Sequence, residues 1–196
     1  MAGGLCPVWI GYLISSRARL LLQDPYRILA PYVRPNATVL DVGSAMGFFS
    51  FPMAEMVGPH GKVVCVDLQP GMLQVLGRRA LKRGLSERIE THVCSEDSIG
   101  LEGRDGSFDF ALAFYMLHEV KQQAGFLRQI HHLLKPAATL LLVEPKGHVS
   151  DSHAERTLAV ALQAGFVETG RPGIRWSYAA VLTKPDTSEP GTHPQP

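Results

Sequence analysis

The sequence has little of what defines several large classes of protein. Its 196 residues include three cysteines, Cys6, Cys65 and Cys94, and this odd, widely spaced set fits neither a disulfide framework nor a zinc knuckle. No apolar run reaches the length of a membrane span. The formal net charge is only +1, without the basic stripe that is typical of nucleic-acid binders. We therefore expect a cytoplasmic protein that binds neither a membrane nor a nucleic acid.

The rest of the composition is that of an ordinary globular domain, with 45% apolar and 19% charged residues. A chain of this length has room for one domain with a complete core. Residues 1–23 are fairly apolar but lack the features of a signal peptide, so we predict a lid or a packing segment there. We predict one folded domain over residues 24–183. Residues 184–196 are rich in proline and small polar residues, which favours a disordered tail.

Strand-like and helix-like segments alternate through the predicted domain. The first helix is expected to start at Asp24-Pro25, because an N-cap followed by proline favours a helix start. The predicted helices are 25–31, 48–57, 69–83, 121–135 and 151–164. The predicted strands are 38–42, 62–66, 89–93, 108–114 and 139–143, followed by a hairpin of 166–170 and 174–183. The pattern predicts an α/β fold: a Rossmann-like, mostly parallel seven-stranded sheet with helices on both faces and a C-terminal antiparallel β-hairpin.

The most informative stretch is the turn after the first predicted strand, residues 41–47, which reads Asp-Val-Gly-Ser-Ala-Met-Gly. An acid ends the strand, and a tight turn then opens a helix. Gly43 accepts a positive φ and lets a ligand approach the backbone. We expect exposed N–H groups of this turn to meet the carboxylate of a ligand. Ligands of open α/β sheets bind outside the carboxyl ends of the strands, so the turn predicts a ligand site.

A second acid, Asp67, ends the second predicted strand and is placed to accept both hydroxyls of a ribose. Two acids, Asp41 and Asp67, fit a cofactor that carries a cationic sulfonium and an ammonium, and they fit a pyrophosphate badly. A dinucleotide fingerprint would also require glycines at positions 43, 45 and 48, where the chain has Gly43, Ala45 and Phe48. The pattern therefore disfavours a dinucleotide.

Five segments, in the same order along the chain, resemble the class I methyltransferases, especially the small-molecule group that includes the ubiquinone/menaquinone-biosynthesis type. The segments are 41–47, 66–72, 94–97, 107–120 and 134–145. Each is weak alone, but together they extend the resemblance over residues 24–183. It implies an enzyme that uses S-adenosylmethionine to methylate a small-molecule acceptor, as a monomer or a homodimer.

The resemblance also implies which residues hold the cofactor. They are Asp41, Gly43, Ser44, Gly47, Phe48, Asp67, Leu68, Met72, Ser95, Glu96 and Phe114. Ala45 departs from the family pattern by replacing its middle glycine, and Ser95 replaces its usual aspartate, so Glu96 or backbone N–H groups would contact the adenine. Core packing is the alternative role for Leu68 and Met72, and capping of the turn is the alternative for Asp41.

Candidate catalytic residues follow the fourth predicted strand. His118 is a candidate general base, because its ordinary pKa suits proton transfer near neutral pH; the alternative is a histidine that packs locally and orders the loop. Tyr115 at the same edge is a second candidate, lining the methyl-transfer pocket. His148, Asp151 and His153 match no strong metal-binding pattern, so we predict no metal site.

The sequence is also compatible with two other functions. Ala45 and Ser95 favour a non-catalytic module that binds S-adenosylmethionine without turnover. A protein or RNA methyltransferase is the other alternative. The small net charge argues against it, and so does the segment 114–117, Phe-Tyr-Met-Leu, which stands where an Asn/Asp-Pro-Pro-Tyr type of segment would be needed.

Overall fold

The computed structural model describes residues 23–186, in which helices and strands alternate. The helices are α1 (Pro25–Leu29), α2 (Ser50–Val57), α3 (Pro70–Lys82), α4 (Gln123–Leu133) and α5 (Asp151–Gln163). The strands are β1 (Thr38–Val42), β2 (Lys62–Asp67), β3 (Ile89–Val93), β4 (Phe108–Phe114), β5 (Leu134–Pro145), β6 (Val167–Gly170) and β7 (Ser177–Thr183). The predicted lid segment, except Gln23, and the predicted tail from residue 187 onward lie outside the described residues.

The seven strands form one sheet in the order β3-β2-β1-β4-β5-β7-β6. Strands β1 to β5 pair in parallel, whereas β7 runs antiparallel to both β5 and β6. The predicted α/β sheet with a C-terminal antiparallel hairpin is therefore confirmed. No helix within residues 23–186 combines the length and the apolar character needed to cross a bilayer.

Both faces of the sheet are buried under helices, which explains why the central strands are almost continuously apolar. Neighbouring residues of β1 point to opposite faces: Leu40 packs in the core that holds Leu127 of α4. Val39 packs in the other core, with Met53 of α2 and Leu76 of α3. A strand with only one buried face would have carried polar residues at every second position.

Capping residues fix where two helices begin. The Asp24 carboxylate accepts the backbone N–H groups of Tyr26 and Arg27 at 3.0 and 3.3 Å, and proline occupies the first turn of α1. The hydroxyl of Ser150 accepts the backbone N–H of His153 at the start of α5 in the same way. Each cap satisfies N–H groups that the first helical turn leaves without partners.

Helix α4 is shorter than predicted. The structure ends it at Leu133, because Leu134 is already extended, with φ −72° and ψ 143°, and pairs with Phe108 as the first residue of β5. Lys135 precedes a proline, and such a residue avoids the α region. Lys184, at the start of the predicted tail, still exchanges two backbone hydrogen bonds of 2.9 Å with residues 137 and 138.

Helix α2 and strand β7 begin two or three residues later than predicted. Helix α2 starts at Ser50 rather than at residue 48, because the turn extends through Phe49. Strand β7 starts at Ser177 rather than at residue 174, because Trp176 just before it has a left-handed φ of 59°, far from the φ of a regular strand.

The strand order places a crevice at one edge of the sheet. Strand β1 has β2 on one side and β4 on the other, so the direction in which the chain adds strands reverses there. Ligands of open α/β sheets bind at such a switch point, outside the carboxyl ends of the strands. The turn after β1 and the segment after β4 both lie at this point.

Candidate functional site

The turn after β1 packs closely against the segment after β4. Gly43 has φ 74°, and a Cβ placed on it would lie 2.8 Å from Met116 Cβ. Glycine is required here both by the left-handed backbone and by the neighbouring side chain. Met116 thus packs directly against Gly43, and the approach of a ligand to this glycine stays a prediction.

The backbone N–H groups of the turn are used within the protein. Gly43 and Ser44 both donate to the Val66 carbonyl, at 2.8 and 3.0 Å, and the Ala45 N–H donates to Asp67 Oδ2 at 2.9 Å. These three N–H groups therefore already have partners within the protein, and contact between the turn and the carboxylate of a ligand stays a prediction. The three hydrogen bonds fix the turn on the end of β2.

Two side chains of this turn region retain capacity for a ligand. Ser44 Oγ is buried and has no hydrogen-bond partner among residues 23–186, although buried hydroxyls are normally bonded. Asp67 accepts the N–H of Ala45 on one carboxylate oxygen and that of Gln69 on the other, each at 2.9 Å. Each oxygen keeps a further lone pair, so Asp67 can still accept both hydroxyls of a ribose. The residues present therefore fit a cofactor with a ribose and a polar amino-acid end.

Asp41 is almost completely buried beneath the turn. Its residue is only 3% exposed, and Ser50 Oγ donates to its Oδ2 at 2.5 Å. Burial raises the pKa of Asp41 to about 7, with the Ser50 hydrogen bond acting to lower it and the charge of Asp67 acting to raise it. The Asp41–Ser50 bond links β1 to the first residue of α2 and so braces both ends of the turn; contact with the cofactor stays a prediction for Asp41.

The apolar residues predicted near an adenine differ in exposure. Leu68 is partly open at the end of β2, whereas Met72 is 3% exposed and packs with Met46 and Val75 in a small cluster beside the turn. The geometry therefore agrees with the packing alternative for Met72.

The segment after β3 is closed by its own hydrogen bonds. Ser95 Oγ accepts the backbone N–H of Ser98 at 3.0 Å. Glu96 forms an exposed ion pair with Lys121 at 2.7 Å. That pair links the segments after β3 and β4 across the same edge of the sheet, so both predicted adenine contacts lie at the right edge but already have partners.

A row of aromatic rings runs from the turn to the end of β4. Phe48 meets Phe49 edge-on at 5.0 Å between ring centroids, Phe49 lies 4.3 Å from Phe114, and Phe114 lies 4.5 Å from Tyr115. Phe114 is only 7% exposed and belongs to the core. The predicted cofactor residues Phe48 and Phe114 thus belong to one packed row, which begins at Phe48 and ends at Tyr115.

Tyr115 follows β4 directly in a strained conformation, with φ 60°. Such a backbone persists in a non-glycine residue only where its surroundings hold it. Its hydroxyl bonds Gln23 Nε2 and Ser177 Oγ, each at 2.6 Å. The structure therefore brings Tyr115 to the predicted edge, with its hydroxyl held between the start of the domain and β7.

His118 forms two hydrogen bonds with Glu144, a residue that the sequence did not single out. Glu144, near the end of β5, is 1% exposed; one carboxylate oxygen accepts the His118 backbone N–H at 3.1 Å, and the other bonds His118 Nδ1 at 2.5 Å. Burial lowers the pKa of His118, but the hydrogen bond and charge of Glu144, with the charge of Glu119, outweigh burial and raise it overall. The signal available in the sequence was an acid inside an otherwise apolar strand.

A cavity of about 290 Å³ lies beside this pair, between α5, β5, β7 and the turn before β7. Its wall includes Glu144, the apolar Leu142 and Leu158, and Lys146. Among residues 23–186, no group of three or more His, Cys, Asp or Glu side chains is arranged to hold a metal ion.

Comparison with known proteins places this geometry in a family. Residues 34–175 match the family described as "Methyltransferase domain". The chain is 32% identical over 112 residues to the ubiquinone/menaquinone biosynthesis C-methyltransferase UbiE of Hahella chejuensis, covering 57% of this chain and 44% of that protein. It is 31% identical over 170 residues to the arsenite methyltransferase of Aquipseudomonas alcaligenes, covering 84% of this chain and 47% of that protein. The chain thus spans less than half the length of either relative.

Among solved structures, a SAM-dependent methyltransferase from Aquifex aeolicus shares the fold with a TM-score of 0.83 and 24% identity, over 92% of this chain and 100% of that one. The family match covers most of the chain, including the turn after β1 and the segments after β4 and β5. The chain therefore belongs to the class I, S-adenosylmethionine-dependent methyltransferase family.

Proposed function

We propose that this chain transfers the methyl group of S-adenosylmethionine to a small-molecule acceptor. One observation carries the proposal: at the switch point of the sheet, the orphaned Ser44 hydroxyl and the spare lone pairs of Asp67 lie on one side, and the His118–Glu144 pair lies on the other. The first side suits a cofactor, and the second suits the group that receives the methyl.

On the cofactor side, Asp67 would accept the ribose hydroxyls and Ser44 would bond the amino-acid end. Asp41 would act mainly by bracing the turn through Ser50. When bound, S-adenosylmethionine supplies a methyl group on a cationic sulfonium whose sulfur keeps the electron pair of the broken bond and leaves neutral. Because the leaving group is neutral, the protein needs no acid for it; it must align the acceptor, and alignment can lower a barrier by about 7–11 kcal/mol.

The size and lining of the edge support a small acceptor. The cavity of about 290 Å³ beside Glu144 has room for a small molecule only, and its wall combines apolar side chains such as Leu142 and Leu158 with charged ones such as Glu144. The net charge of +1 provides no broad basic surface for a nucleic acid. The names of the two relatives refer to ubiquinone/menaquinone biosynthesis and to arsenite, neither of which is a protein or a nucleic acid.

A second candidate is a module that binds the cofactor without turnover. The observation in its favour is Ala45, which stands at a left-handed φ of 46° and whose N–H occupies Asp67. A turn held closed in this way would bind the cofactor weakly or in a shifted position.

The test is transfer of labelled methyl. The protein is incubated with methyl-labelled S-adenosylmethionine and a deproteinised metabolite extract, and the products are separated by size. We expect label in the low-mass fraction, and at least tenfold less label when Asp67→Ala replaces the wild type at a cofactor concentration below saturation. A parallel reaction contains protein and RNA in place of the metabolite extract. Label appearing only in that reaction would contradict the small-molecule proposal. Binding without any transfer would favour the non-catalytic module.

A further inference from the structure

Glu144 forms more hydrogen bonds with His118 than are needed to order the loop. A bond from the His118 backbone N–H to one carboxylate oxygen, at 3.1 Å, would suffice to hold the 3₁₀ turn at Leu117–Glu119. The second oxygen bonds the imidazole Nδ1 at 2.5 Å as well. Glu144 therefore fixes both the backbone and the ring of one residue, and it does so from a position that is 1% exposed.

An ionised carboxylate only accepts hydrogen bonds, so the ring nitrogen that it contacts must carry the proton. With Nδ1–H donated to Glu144, the neutral imidazole has its free lone pair on Nε2, at the opposite side of the ring. The side chain of His118 keeps 12% of its surface exposed, at the end of the sheet where the acceptor would bind. The geometry leaves a base with one defined tautomer and one defined orientation.

We propose that Glu144 is a positioning residue that holds His118 in the tautomer whose Nε2 takes the proton of the methyl acceptor. This inference rests on the proposed methyltransferase function. The acceptor's O–H or N–H bond breaks and its proton moves to Nε2. The electron pair on the acceptor atom forms the new bond to the methyl carbon, while the bond from that carbon to the sulfonium breaks and its electron pair stays on the sulfur, which leaves neutral. His118 ends as an imidazolium, which the Glu144 carboxylate stabilises through Nδ1–H. The proton returns to solvent after product release.

The groups that face His118 set when the base is available. Glu144 of β5 and Glu119 of its own turn raise the pKa of His118 against the effect of burial, and the ring of His148, from the segment after β5, meets the His118 ring at 5.0 Å between centroids. A base works only when unprotonated, so the transfer rate should rise with pH and level off above the pKa of His118. Removing the Glu144 charge should move that rise to lower pH.

The test needs no acceptor. Imidazole NMR follows the titration of His118 in complexes with S-adenosylmethionine and with S-adenosylhomocysteine, which differ by the methyl group and by the positive charge on sulfur. If His118 faces the reacting atoms, the cationic sulfonium disfavours the imidazolium. We expect a lower His118 pKa with S-adenosylmethionine than with S-adenosylhomocysteine, and an Nδ1–H tautomer at high pH.

Glu144→Gln is the matched variant, because its amide oxygen can still accept the His118 backbone N–H while the charge is lost. We expect a lower His118 pKa, loss of the single Nδ1–H tautomer and unchanged cofactor affinity. Glu155→Gln is the control: Glu155 lines the same cavity but pairs with the exposed Arg171, and the variant should leave His118 unchanged.

Three results would overturn the inference. If both ligands bind and His118 titrates identically in the two complexes, His118 only orders the loop, and the proposed methyltransferase function still stands. If neither ligand binds, the proposed function fails and this inference fails with it. Should Glu144→Gln not fold, the wild-type protein decides the question through two readouts, the tautomer of His118 at high pH and the comparison of the two ligands, and an Nε2–H tautomer would overturn the inference.

Discussion

The two halves of the carboxyl edge are built in different ways. On the cofactor half, the backbone N–H groups of Gly43, Ser44 and Ala45 tie the turn after β1 to the end of β2. On the acceptor half, side chains far apart in sequence meet: Tyr115 bonds the hydroxyl of Ser177, and His118 bonds Glu144.

This difference suggests how one fold serves many acceptors. Backbone hydrogen bonds depend on the shape of the turn and tolerate few substitutions, so a common cofactor can be held by a common geometry. Side-chain contacts on the other half can be exchanged without disturbing the sheet, which agrees with the general separation between a fold and the sites placed on it.

The acceptor half gives the largest expected effect. If His118 is the base, His118→Gln should lower turnover by about 10²–10⁴-fold and leave cofactor affinity nearly unchanged. The acidic limb of the pH–rate profile should disappear, since it reports protonation of His118, whose pKa lies above its ordinary value. The measurement is steady-state transfer to an acceptor found in the labelling screen.

His132→Gln is the control for this substitution, because His132 is exposed on α4, away from the edge. A turnover within a few-fold of wild type in His118→Gln would show that the acceptor half does not depend on a base.

The cofactor half should respond to pH through Asp41. Its pKa is about 7 in the folded protein and 3.8 in a model peptide, so between these values the folded state holds a proton that the unfolded state has released. The contribution of Asp41 to the free energy of unfolding therefore falls by up to about 1.4 kcal/mol per pH unit as pH rises from about 4 to 7.

Asp41→Asn should remove this slope, as measured by urea unfolding of the two proteins across the same pH range. Asp105→Asn, in the exposed turn before β4, should keep it. An equal slope in the wild type and in Asp41→Asn would show that Asp41 is ionised in the fold.

Asp67 should matter for affinity rather than for folding. Asp67→Ala removes charge-assisted bonds to the ribose, of about 1.5–3 kcal/mol, so the affinity for S-adenosylmethionine should fall more than tenfold in calorimetry. Asp105→Ala at the opposite end of the sheet is the control and should bind normally. A folded Asp67→Ala variant with wild-type affinity would remove Asp67 from the cofactor site.

Ala45 gives the smallest expected effect. Its left-handed φ of 46° costs about 1–2 kcal/mol in a residue with a Cβ, and glycine would relieve that cost while losing about 0.4–1 kcal/mol through the unfolded chain. Ala45→Gly should raise the melting temperature slightly and keep or improve cofactor affinity.

Ala137→Gly is the matched control, since Ala137 has φ 61° near the start of β5, at the end of that strand away from the site. It should raise the melting temperature similarly and leave affinity unchanged. Weaker binding by Ala45→Gly alone would show that the turn has adapted to the methyl group of Ala45.

The cofactor half was predictable because its signals are local. The acid, glycine and helix start of residues 41–50 follow one another along the chain, and the structure keeps them together at the end of β1. Strands β1, β3 and β4 match their predicted bounds for the same reason. The hydrogen bonds from the N–H groups of the turn to β2 were not predicted, because their acceptors lie on a neighbouring strand and not in the turn itself.

The acceptor half was only partly predictable. His118 was placed at the right edge by its position after β4, but its partner Glu144 follows 26 positions later, and no local spacing links the two. Trp176 likewise shortens β7 through a left-handed backbone that residue type does not signal.

The central claim is tested most directly by calorimetry of the intact chain with S-adenosylmethionine, S-adenosylhomocysteine and NAD. The Ser44 hydroxyl, the spare lone pairs of Asp67 and the absence of glycine at position 45 predict binding of both adenosyl ligands and none of NAD. Tight binding of NAD with no binding of either adenosyl ligand would contradict the account.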